Sequence, residues 1–433
     1  MRMDLYDLFL QYPIITTDSR TCPEGSLFFA LKGDKFNANA FAADALDRGC
    51  SYAIIDDASY AINDHYIVVP DVLKSLQDLA LRHRQSMKAK IIGITGSNGK
   101  TTTKELIASV LKEHYDILYT QGNLNNHIGV PLTLLQLRPH HQLAIIEMGA
   151  NHPGEIKLLS SIAEPDFGII TNVGKAHLEG FGSFEGVKNT KAELYSFIAD
   201  KGIGIFIHQA NAHLMEMAGK AGIDKDKRIY YSMTPTDDPA CVSGNITGND
   251  PLLTMECLTG DVLELKTQLI GSYNAENVLA AVTIGQFFGL TNAQIKKGIE
   301  SYTPTNNRSQ LTLTASNRLV VDAYNANPSS MQAAIQNFSR IQDSNKVLIL
   351  GDMLELGTDS KQEHQAVANL LAEKKFNQVF LIGQEFSEIT TDFPRFGTVN
   401  ELAEYLQGNP LRDCLILIKG SRGIHLEKII PFV

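Results

Sequence analysis

Residues 91–111 read IIGITGSNGKTTTKELIASVL, in which a run of β-branched residues leads into a glycine-rich loop and then an amphipathic segment. This order predicts a strand, a phosphate-binding loop and a helix, because glycines let backbone N–H groups close on phosphate oxygens and a helix N-terminus favours anions. Lys100 supplies a positive charge, and a threonine hydroxyl beside it can hold Mg²⁺. The residues predicted to bind the phosphates of a nucleotide are Gly96, Ser97, Asn98, Gly99, Lys100, Thr101 and Thr102.

The spacing within this loop differs from the usual Walker pattern, since Gly96 precedes Gly99 by three positions. A simpler interpretation is a glycine-rich turn followed by an exposed lysine. Because strand, loop and helix all occur in the required order, the sequence favours a phosphate-binding loop.

Short apolar runs on both sides of this loop predict further parallel strands. Runs of four to six apolar residues that end in glycine, asparagine or an acidic residue are typical of buried strands separated by helices. Those after residue 89 are LAIIEMG, FGIITNVG and GIGIFIH, and those after about residue 305 are RLVVDAYN, KVLILGDM, QVFLIG and CLILIKG. We therefore expect two doubly wound sheets, with residues 224–267 forming antiparallel strands at the edge of the first.

The predicted fold class is α/β with three domains, because 433 residues are too many for one compact core. Residues 1–88 contain the apolar runs SLFFAL and YAIID and predict a small N-terminal α/β domain. Residues 89–305 predict a central P-loop domain with a parallel sheet, and residues 306–433 predict a Rossmann-like C-terminal domain.

Composition excludes several classes of protein. The net charge of -10 argues against binding to nucleic acid or to an anionic membrane surface, both of which need a basic face. Five cysteines without CxxC spacing indicate neither a disulfide framework nor a zinc site. Neither a signal peptide nor an apolar stretch of membrane-spanning length occurs, so we expect a cytoplasmic protein that does not insert into membranes.

Three polar residues after the central strands are candidates for metal chemistry. Glu147 ends the run LAIIE, where ligands of open α/β sheets gather, although a lone glutamate there could equally cap a turn. His177 follows the next apolar run, and Lys191 lies in a helical segment soon after it. A lone histidine is more often a satisfied structural residue, but its place in a nucleotide domain favours a functional role.

Several motifs together resemble the central domain of the Mur ligases, in the same order and at similar intervals. They are GSNGKTTTKE, GNLNNHIGVP, EMG, TNVGKAHLEGFGS, TKAEL and GSYNAENVLAA. The resemblance extends to TDSRTCPEGSLFFALKGDKFNANAFAADALDRG near the N-terminus and to KGSRG near the C-terminus. Within the family, DAYNANPSSM and GDMLELG are similar to the members that add D-alanyl-D-alanine, although asparagine and proline also favour ordinary turns.

The resemblance implies an ATP-dependent ligase that joins D-alanyl-D-alanine to UDP-N-acetylmuramoyl-tripeptide through an acyl phosphate, in peptidoglycan precursor synthesis. A monomer is the family expectation. One alternative is a related ligase that adds a single amino acid to a UDP-muramoyl peptide, or glutamate to a folate. A nucleotide-binding regulatory protein without ligase activity is another, and the presence of Glu147, His177 and Lys191 together speaks against it.

The resemblance also implies two Mg²⁺ ions and a carbamylated lysine. Thr101 or Thr102 with Glu147 would hold the first ion, and His177 with Glu147 would serve the second. Lys191 matches the family's carbamylated lysine, whereas the simpler interpretation is a surface lysine paired with Glu193. A free lysine is almost entirely protonated near neutral pH, so burial or trapping by metal must favour the carbamate.

Substrate contacts carried over from the family complete the predicted site. Asn274 would read adenine, although Asn274 and Asn277 could also cap a helix. Arg308 would reach the γ-phosphate and Asp322 the ribose. The predicted UDP-substrate contacts are Ser19, Arg20, Lys32, Asn125 and Asn126, and the predicted dipeptide contacts are Tyr324, Asn325 and Asn327.

Overall fold

The apolar runs of the sequence form the strands of three α/β regions, each built on its own sheet, which confirms the predicted fold class. The structure is a computed structural model that describes residues 4–33, 35–236, 238, 240–305 and 307–433. Position 306, where the predicted third domain begins, lies outside the described residues. In the described part of the chain, no helix combines the length and the apolar character needed to cross a bilayer.

The first sheet has four parallel strands in the order β1-β2-β5-β6. Its strands are β1 (Ile15–Thr16), β2 (Leu27–Phe29), β5 (Tyr52–Ile55) and β6 (Tyr66–Val68), with β3 (Lys32–Gly33) and β4 (Phe36–Asn37) forming a separate antiparallel hairpin. The helices of this region are α1 (Leu5–Gln11), α2 (Ala42–Asp47) and α3 (Val72–Ser86). Helix α3 packs against the second region and so joins the first sheet to it.

The second sheet has nine strands in the order β15-β14-β13-β12-β11-β10-β7-β9-β8. Its strands are β7 (Lys90–Thr95), β8 (Ile117–Tyr119), β9 (Leu143–Glu147), β10 (Phe167–Ile170), β11 (Gly204–His208), β12 (Arg228–Ser232), β13 (Val242–Asn249), β14 (Leu252–Thr259) and β15 (Asp261–Ile270). Its helices are α4 (Lys100–Leu111), α5 (Gly129–Leu134), α6 (Glu155–Ala163), α7 (Leu178–Phe181), α8 (Phe184–Lys201), α9 (Ala212–Lys220), α10 (Ala275–Phe287) and α11 (Asn292–Ser301).

The antiparallel edge predicted for residues 224–267 is confirmed only in part. Strands β13, β14 and β15 are antiparallel and lie at the edge of the sheet. Strand β12, however, pairs in parallel with β11, and β13 pairs in parallel with β12. The parallel sheet therefore extends further than the polar, turn-rich sequence indicates, because the pairing of β12 is decided by its neighbour β11 and not by local composition.

The third sheet has the order β16-β17-β21-β18-β19-β20, with only the edge strand β16 antiparallel to its neighbour. Its strands are β16 (Gln310–Leu313), β17 (Arg318–Asp322), β18 (Lys346–Gly351), β19 (Gln378–Ile382), β20 (Arg395–Phe396) and β21 (Leu415–Lys419). Its helices are α12 (Pro328–Arg340), α13 (Ser360–Glu373), α14 (Gln384–Ser387) and α15 (Val399–Gly408).

Helix α4, which follows the phosphate-binding loop, is held in place by close packing against α10 and α11. The closest approach involves Gly298 of α11, where an added Cβ would lie 2.6 Å from the Cα atom of Val110 and 2.8 Å from the carbonyl oxygen of Ser109. The Ser109 hydroxyl also donates a hydrogen bond to the Gly298 carbonyl at 2.7 Å. The two backbones can approach this closely only because residue 298 has no side chain.

We expect Gly298→Ala to lower the free energy of unfolding by roughly 1 to 3 kcal/mol, because the added methyl group meets backbone atoms that cannot move aside. The matched control is Gly219→Ala in α9, where an added Cβ meets nothing within 4 Å. That change should leave stability unchanged or raise it by up to about 1 kcal/mol through helix propensity. Urea unfolding of both variants followed by circular dichroism gives the comparison, and equal stabilities would contradict the packing argument.

Candidate active site

A cavity of about 650 Å³ lies where loops of the second and third sheets meet, beside the start of α4. Sixteen of the residues predicted from sequence line it: Ser97, Asn98, Gly99, Lys100, Thr101, Thr102, Asn125, Asn126, Glu147, His177, Asn274, Arg308, Asp322, Tyr324, Asn325 and Asn327. Gly96, Lys191, Ser19, Arg20 and Lys32 are not among the residues that line it. The cavity therefore brings together groups that are more than 200 positions apart in sequence.

The phosphate-binding loop has the geometry that the sequence predicts. Gly96 has φ 146° and Gly99 has φ 77°, and Gly99 is the N-cap of α4. An added Cβ on Gly96 would lie 2.0 Å from the Thr171 hydroxyl oxygen, and one on Gly99 would lie 2.6 Å from the side-chain carbonyl oxygen of Asn277. In the described structure no side chain caps the start of α4. The first N–H groups of the helix are thus available to a phosphate.

Lys100 is folded back on the loop that precedes it. Its ammonium group donates hydrogen bonds to the carbonyl oxygens of Gly96 at 2.8 Å and Ser97 at 3.4 Å. Burial lowers the pKa of Lys100, and the nearby Glu147 carboxylate opposes that shift. A triphosphate in the loop would supply a stronger anionic partner than these carbonyls and would favour the charged ammonium.

Glu147 is the buried carboxylate at the centre of the site, with only 1% of its surface exposed. It accepts hydrogen bonds from the Thr101 hydroxyl at 3.0 Å and from the Asn125 side-chain amide at 2.8 Å. A carboxylate and a hydroxyl side by side at a phosphate-binding loop are the hard oxygen ligands that Mg²⁺ prefers. Asn125, predicted as a sugar-diphosphate contact, lies in the same cavity and is hydrogen-bonded to Glu147.

Lys104 is a functional candidate that the sequence analysis did not identify. It is fully buried, and its ammonium group donates to the Thr120 carbonyl oxygen at 2.6 Å. Carboxylate oxygens of Glu105 and Glu147 lie 3.0 Å and 3.7 Å away. The signal in the sequence was its spacing of four from Lys100, which places a second lysine on the same face of α4.

His177 joins the second sheet to the third. It has φ 51°, and its Nδ1 atom makes a hydrogen bond with the carboxylate of Glu355, which lowers the pKa of that carboxyl group. The ammonium of Lys175 contacts Glu363 at 2.6 Å in the same interface. Glu355, which lies in the motif GDMLELG, is a second residue whose contact with the site was not predicted.

Lys191 is buried, with 2% of its surface exposed, and does not match the alternative of a surface lysine. Burial, reinforced by the positive charge of Lys100, lowers the pKa of Lys191 to about 7. Glu193, the partner in that alternative, instead accepts hydrogen bonds from the backbone N–H groups of Gly154 and Lys157, each at 2.8 Å. Near neutral pH a large fraction of Lys191 is therefore an uncharged amine.

Asn274 and Asn277 tie α10 to the phosphate-binding helix. The Asn274 amide donates to the Ile270 carbonyl oxygen at 2.8 Å and accepts from Asn277 at 2.9 Å. Asn277 in turn accepts a hydrogen bond from the Thr103 hydroxyl at 3.0 Å. In the described residues Asn274 makes no side-chain capping bond at the start of α10.

Arg308 and Asp322 come from the third region, as predicted. The guanidinium carbon of Arg308 lies 3.7 Å from the centre of the Tyr324 ring. Its buried Nε atom has no hydrogen-bond partner within the described residues, so it remains available to an anion. Asp322 accepts hydrogen bonds from the Lys419 ammonium at 2.6 Å and from the Ser309 N–H group at 3.3 Å.

The asparagine-rich run after β17 serves both as a helix cap and as a contact between regions. Asn327 accepts a hydrogen bond from the Ser330 N–H group at 2.9 Å and so caps α12. Its amide nitrogen donates to the Asn98 side chain at 2.7 Å. Asn325 is exposed, and its side-chain carbonyl oxygen accepts a hydrogen bond from the Ala326 N–H group at 2.9 Å.

Of the residues predicted to contact the UDP substrate, Asn125 and Asn126 line the cavity, whereas Ser19, Arg20 and Lys32 do not. Arg20 is paired with Asp18 at 2.7 Å, and Lys32 with Asp56 at 2.8 Å. The Ser19 carbonyl oxygen accepts a hydrogen bond from the Cys22 thiol at 3.4 Å. The Asn126 side chain lines the cavity and accepts from the Gly129 N–H group at 2.9 Å.

Comparison with known proteins connects this site to a family. Residues 94–285 match the model of the Mur ligase middle domain, and residues 307–422 match that of the Mur ligase, glutamate ligase domain. The UDP-N-acetylmuramoyl-tripeptide--D-alanyl-D-alanine ligases of Bacillus subtilis (strain 168) and Escherichia coli (strain K12) are each 34% identical, over 96% of this chain and 92% of each relative.

Solved structures agree with these matches. A crystal structure of MurF from Acinetobacter baumannii has a TM-score of 0.86 at 33% identity and covers 96% of this chain and 92% of that one. MurF ligase from Thermotoga maritima in complex with ADP has a TM-score of 0.85 at 24% identity, which speaks for the fold alone. Because both family models match and relatives of 34% identity extend over nearly the whole chain, this protein belongs to the Mur ligase family.

Proposed function

We propose that this chain joins D-alanyl-D-alanine to UDP-N-acetylmuramoyl-tripeptide with ATP, forming UDP-N-acetylmuramoyl-pentapeptide, ADP and phosphate. Relatives of 34% identity with this named activity support the substrates. The observation that carries the chemistry is the buried Glu147–Thr101 pair beside the glycine-rich loop, in a cavity that Arg308 and Tyr324 also line. Release of ADP that requires both the UDP-tripeptide and D-alanyl-D-alanine is the direct test, and ADP release with a single amino acid or with folate and glutamate would favour the alternative ligases.

The reaction proposed has two steps. A carboxylate oxygen of the tripeptide attacks the γ-phosphorus of ATP, and the bond to the bridging oxygen of ADP breaks. The dipeptide amine then attacks the acyl carbon of the resulting acyl phosphate, loses a proton and displaces inorganic phosphate. Two unit charges at ~4 Å interact by roughly 4 kcal/mol at an effective dielectric of about 20. Bringing a carboxylate to a triphosphate therefore needs the positive charge of Lys100 and Arg308 and the N–H groups at the start of α4.

We assign the metal positions to the residues that fit them. Thr101 or Thr102 with Glu147 would hold one Mg²⁺, and His177 with Glu147 would serve a second. Bound Mg²⁺ would neutralise phosphate charge and orient the reacting oxygens. His177 would bind a metal through Nε2, because its Nδ1 atom is engaged by the carboxylate of Glu355.

Lys191 is proposed to act as a carbamate. An ammonium would repel Mg²⁺, whereas a carbamate offers anionic oxygens suited to it. The lowered pKa of Lys191, about 7, supports this assignment because only the neutral amine attacks CO₂. The amine keeps one N–H bond, and the proton that it loses goes to solvent.

The remaining assignments follow the three-domain division at residues 1–88, 89–305 and 306–433. The first domain would bind the UDP-muramoyl substrate through Ser19, Arg20 and Lys32. The third would bind the dipeptide and close on ATP, with Asn274 near adenine and Asp322 near the ribose. The five free thiols fit the reducing conditions of the cytoplasm, where the protein is proposed to act, and a monomer is the expectation for its family.

Lys100→Ala should reduce the turnover number by at least roughly 10²- to 10³-fold, because it removes a preorganised positive charge from the phosphate-binding loop. Lys112→Ala is the matched control, since Lys112 is exposed at the other end of α4. It should retain the wild-type rate of ADP release. Similar rates for both variants would contradict the proposed role of the loop.

Lys191→Ala should be nearly inactive, and acetate should partly restore its activity because a small carboxylate can occupy the space of the missing carbamate. A chloride salt of equal ionic strength should have no effect. Lys201→Ala in the same helix serves as the control, since Lys201 is exposed. Full activity of Lys191→Ala without acetate would refute the assignment.

Wild-type protein in ¹³C-bicarbonate should show a carbamate signal by NMR that Lys191→Ala lacks. The pKa of Lys191 lies near 7 in the folded chain, so the amine is increasingly protonated below that pH and cannot react. The signal should therefore weaken as the pH falls from 8 to 6. A signal that is unchanged across this range would contradict the link between burial and carbamylation.

A further inference from the structure

The segment KGSRG, residues 419–423, begins at the cavity, which Lys419 lines, and has no role in the reaction described above. It begins at the carboxyl end of β21, which pairs in parallel with β17 so that Lys419 lies opposite Asp322. The loop after β17 carries Tyr324 and Asn325. Two loops from adjacent parallel strands therefore meet where ligands of such sheets bind.

Ser421 fixes the conformation of this segment. It is buried, its N–H group donates to the Asp352 carbonyl oxygen at 3.0 Å, and its hydroxyl accepts from the Leu354 N–H group at 2.9 Å. The hydroxyl also lies 3.3 Å from the Ala326 carbonyl oxygen. Ser421 thus connects the loops after β17, β18 and β21, and the next residue projects from a rigid base.

That next residue, Arg422, is a cation without an anionic partner among the residues that the structure describes. Its guanidinium carbon lies 5.5 Å from the centre of the Tyr324 ring, and its side chain is exposed. Lys419 differs, because its ammonium is already paired with Asp322. The guanidinium groups of Arg308 and Arg422 therefore both lie over the Tyr324 ring. The γ-phosphate is the proposed ligand of Arg308, which leaves Arg422 without an anionic ligand.

Asn325, in the loop that carries Tyr324, adds a second donor at the cavity, which it lines. Its side-chain carbonyl oxygen is occupied by the Ala326 N–H group, and its amide N–H groups have no acceptor among the described residues. An arginine fork and an amide donor together match a carboxylate, since Arg forms paired hydrogen bonds with its two oxygens.

We propose that Arg422 binds the terminal carboxylate of the incoming dipeptide and that Asn325 assists it. This inference rests on the proposed function, which supplies a dipeptide with a free carboxylate. The guanidinium carbons of Arg308 and Arg422 lie 3.7 Å and 5.5 Å from the same ring centre, so an extended dipeptide, which spans about 7 Å, is long enough to lie between the two groups. With its carboxylate on Arg422, the dipeptide would direct its amine towards Arg308 and the acyl phosphate.

The test uses two forms of the second substrate, D-alanyl-D-alanine and its C-terminal amide, which lacks the negative charge. Wild-type protein should prefer the acid to the amide by about ten- to a hundredfold in kcat/KM, the usual effect of a charge-assisted hydrogen bond. Arg422→Ala should raise the KM for the acid by a similar factor, leave the KM for ATP within about threefold, and reduce the preference for the acid to less than about threefold.

Arg412→Ala is the matched control, because Arg412 is another exposed arginine at the opposite end of β21. It should keep the wild-type preference. Arg422→Lys should recover only part of the preference, since an ammonium lacks the planar fork.

If wild-type protein releases ADP with the dipeptide but Arg422→Ala keeps the full preference for the acid, the inference is wrong and the proposed function stands. A rise in the KM for ATP or for UDP-tripeptide alone would also overturn it by assigning Arg422 to another anion. Absence of dipeptide-dependent ADP release by the wild-type protein would instead refute the proposed function itself.

Discussion

The arrangement of the active site depends on a carboxylate held out of water at the end of a central strand. Glu147 is nearly inaccessible and is satisfied by Thr101, Asn125 and the buried ammonium of Lys104. An isolated ionised carboxylate in such a position would be very costly, so these donors are needed for it to exist there. Because Thr101 belongs to α4, the same contacts fix the phosphate-binding helix relative to β9. The proposed metal site and the stability of the fold therefore depend on the same residue.

The site also requires two parts of the chain to meet. Asn327 contacts Asn98, the Lys175 ammonium contacts Glu363, and His177 contacts Glu355, each pair joining a loop of the second sheet to an element of the third. The same loops carry the groups proposed to hold phosphate and metal. In the proposed reaction these contacts would hold Arg308 at the cavity and help to keep water from the acyl phosphate. Separation of the two parts would leave the proposed phosphate site without Arg308.

The sequence predicted the strands and the phosphate-binding loop well, because both depend on local patterns. Apolar runs such as LAIIE and RLVVD became buried parallel strands, and the glycine-rich loop from Gly96 joins β7 to α4 as expected. The contacts of Asn125 with Glu147 and of Glu355 with His177 could not be predicted, since they depend on how separate loops pack. For the same reason the pairing of β12 was mistaken, and the burial of Lys191 is visible only in three dimensions. Motifs in the sequence indicate the candidate site residues, whereas the residues that contact them are determined by tertiary packing.

Charge explains why the two lysines of the site have different chemistry. Burial lowers the pKa of both lysines, but Glu147 opposes the shift at Lys100. At Lys191 the positive charge of Lys100 adds to the shift more than either Glu155 or Glu193 opposes it. A second ammonium is disfavoured there, and the neutral amine is the form that can take up CO₂. The proposed carbamate would then turn a repulsive neighbour of Lys100 into an attractive one and would add an anion beside the metal positions. Lys100 would thus have two roles. Its positive charge would bind phosphate, and the same charge would favour the neutral amine of Lys191 from which the metal-binding carbamate forms.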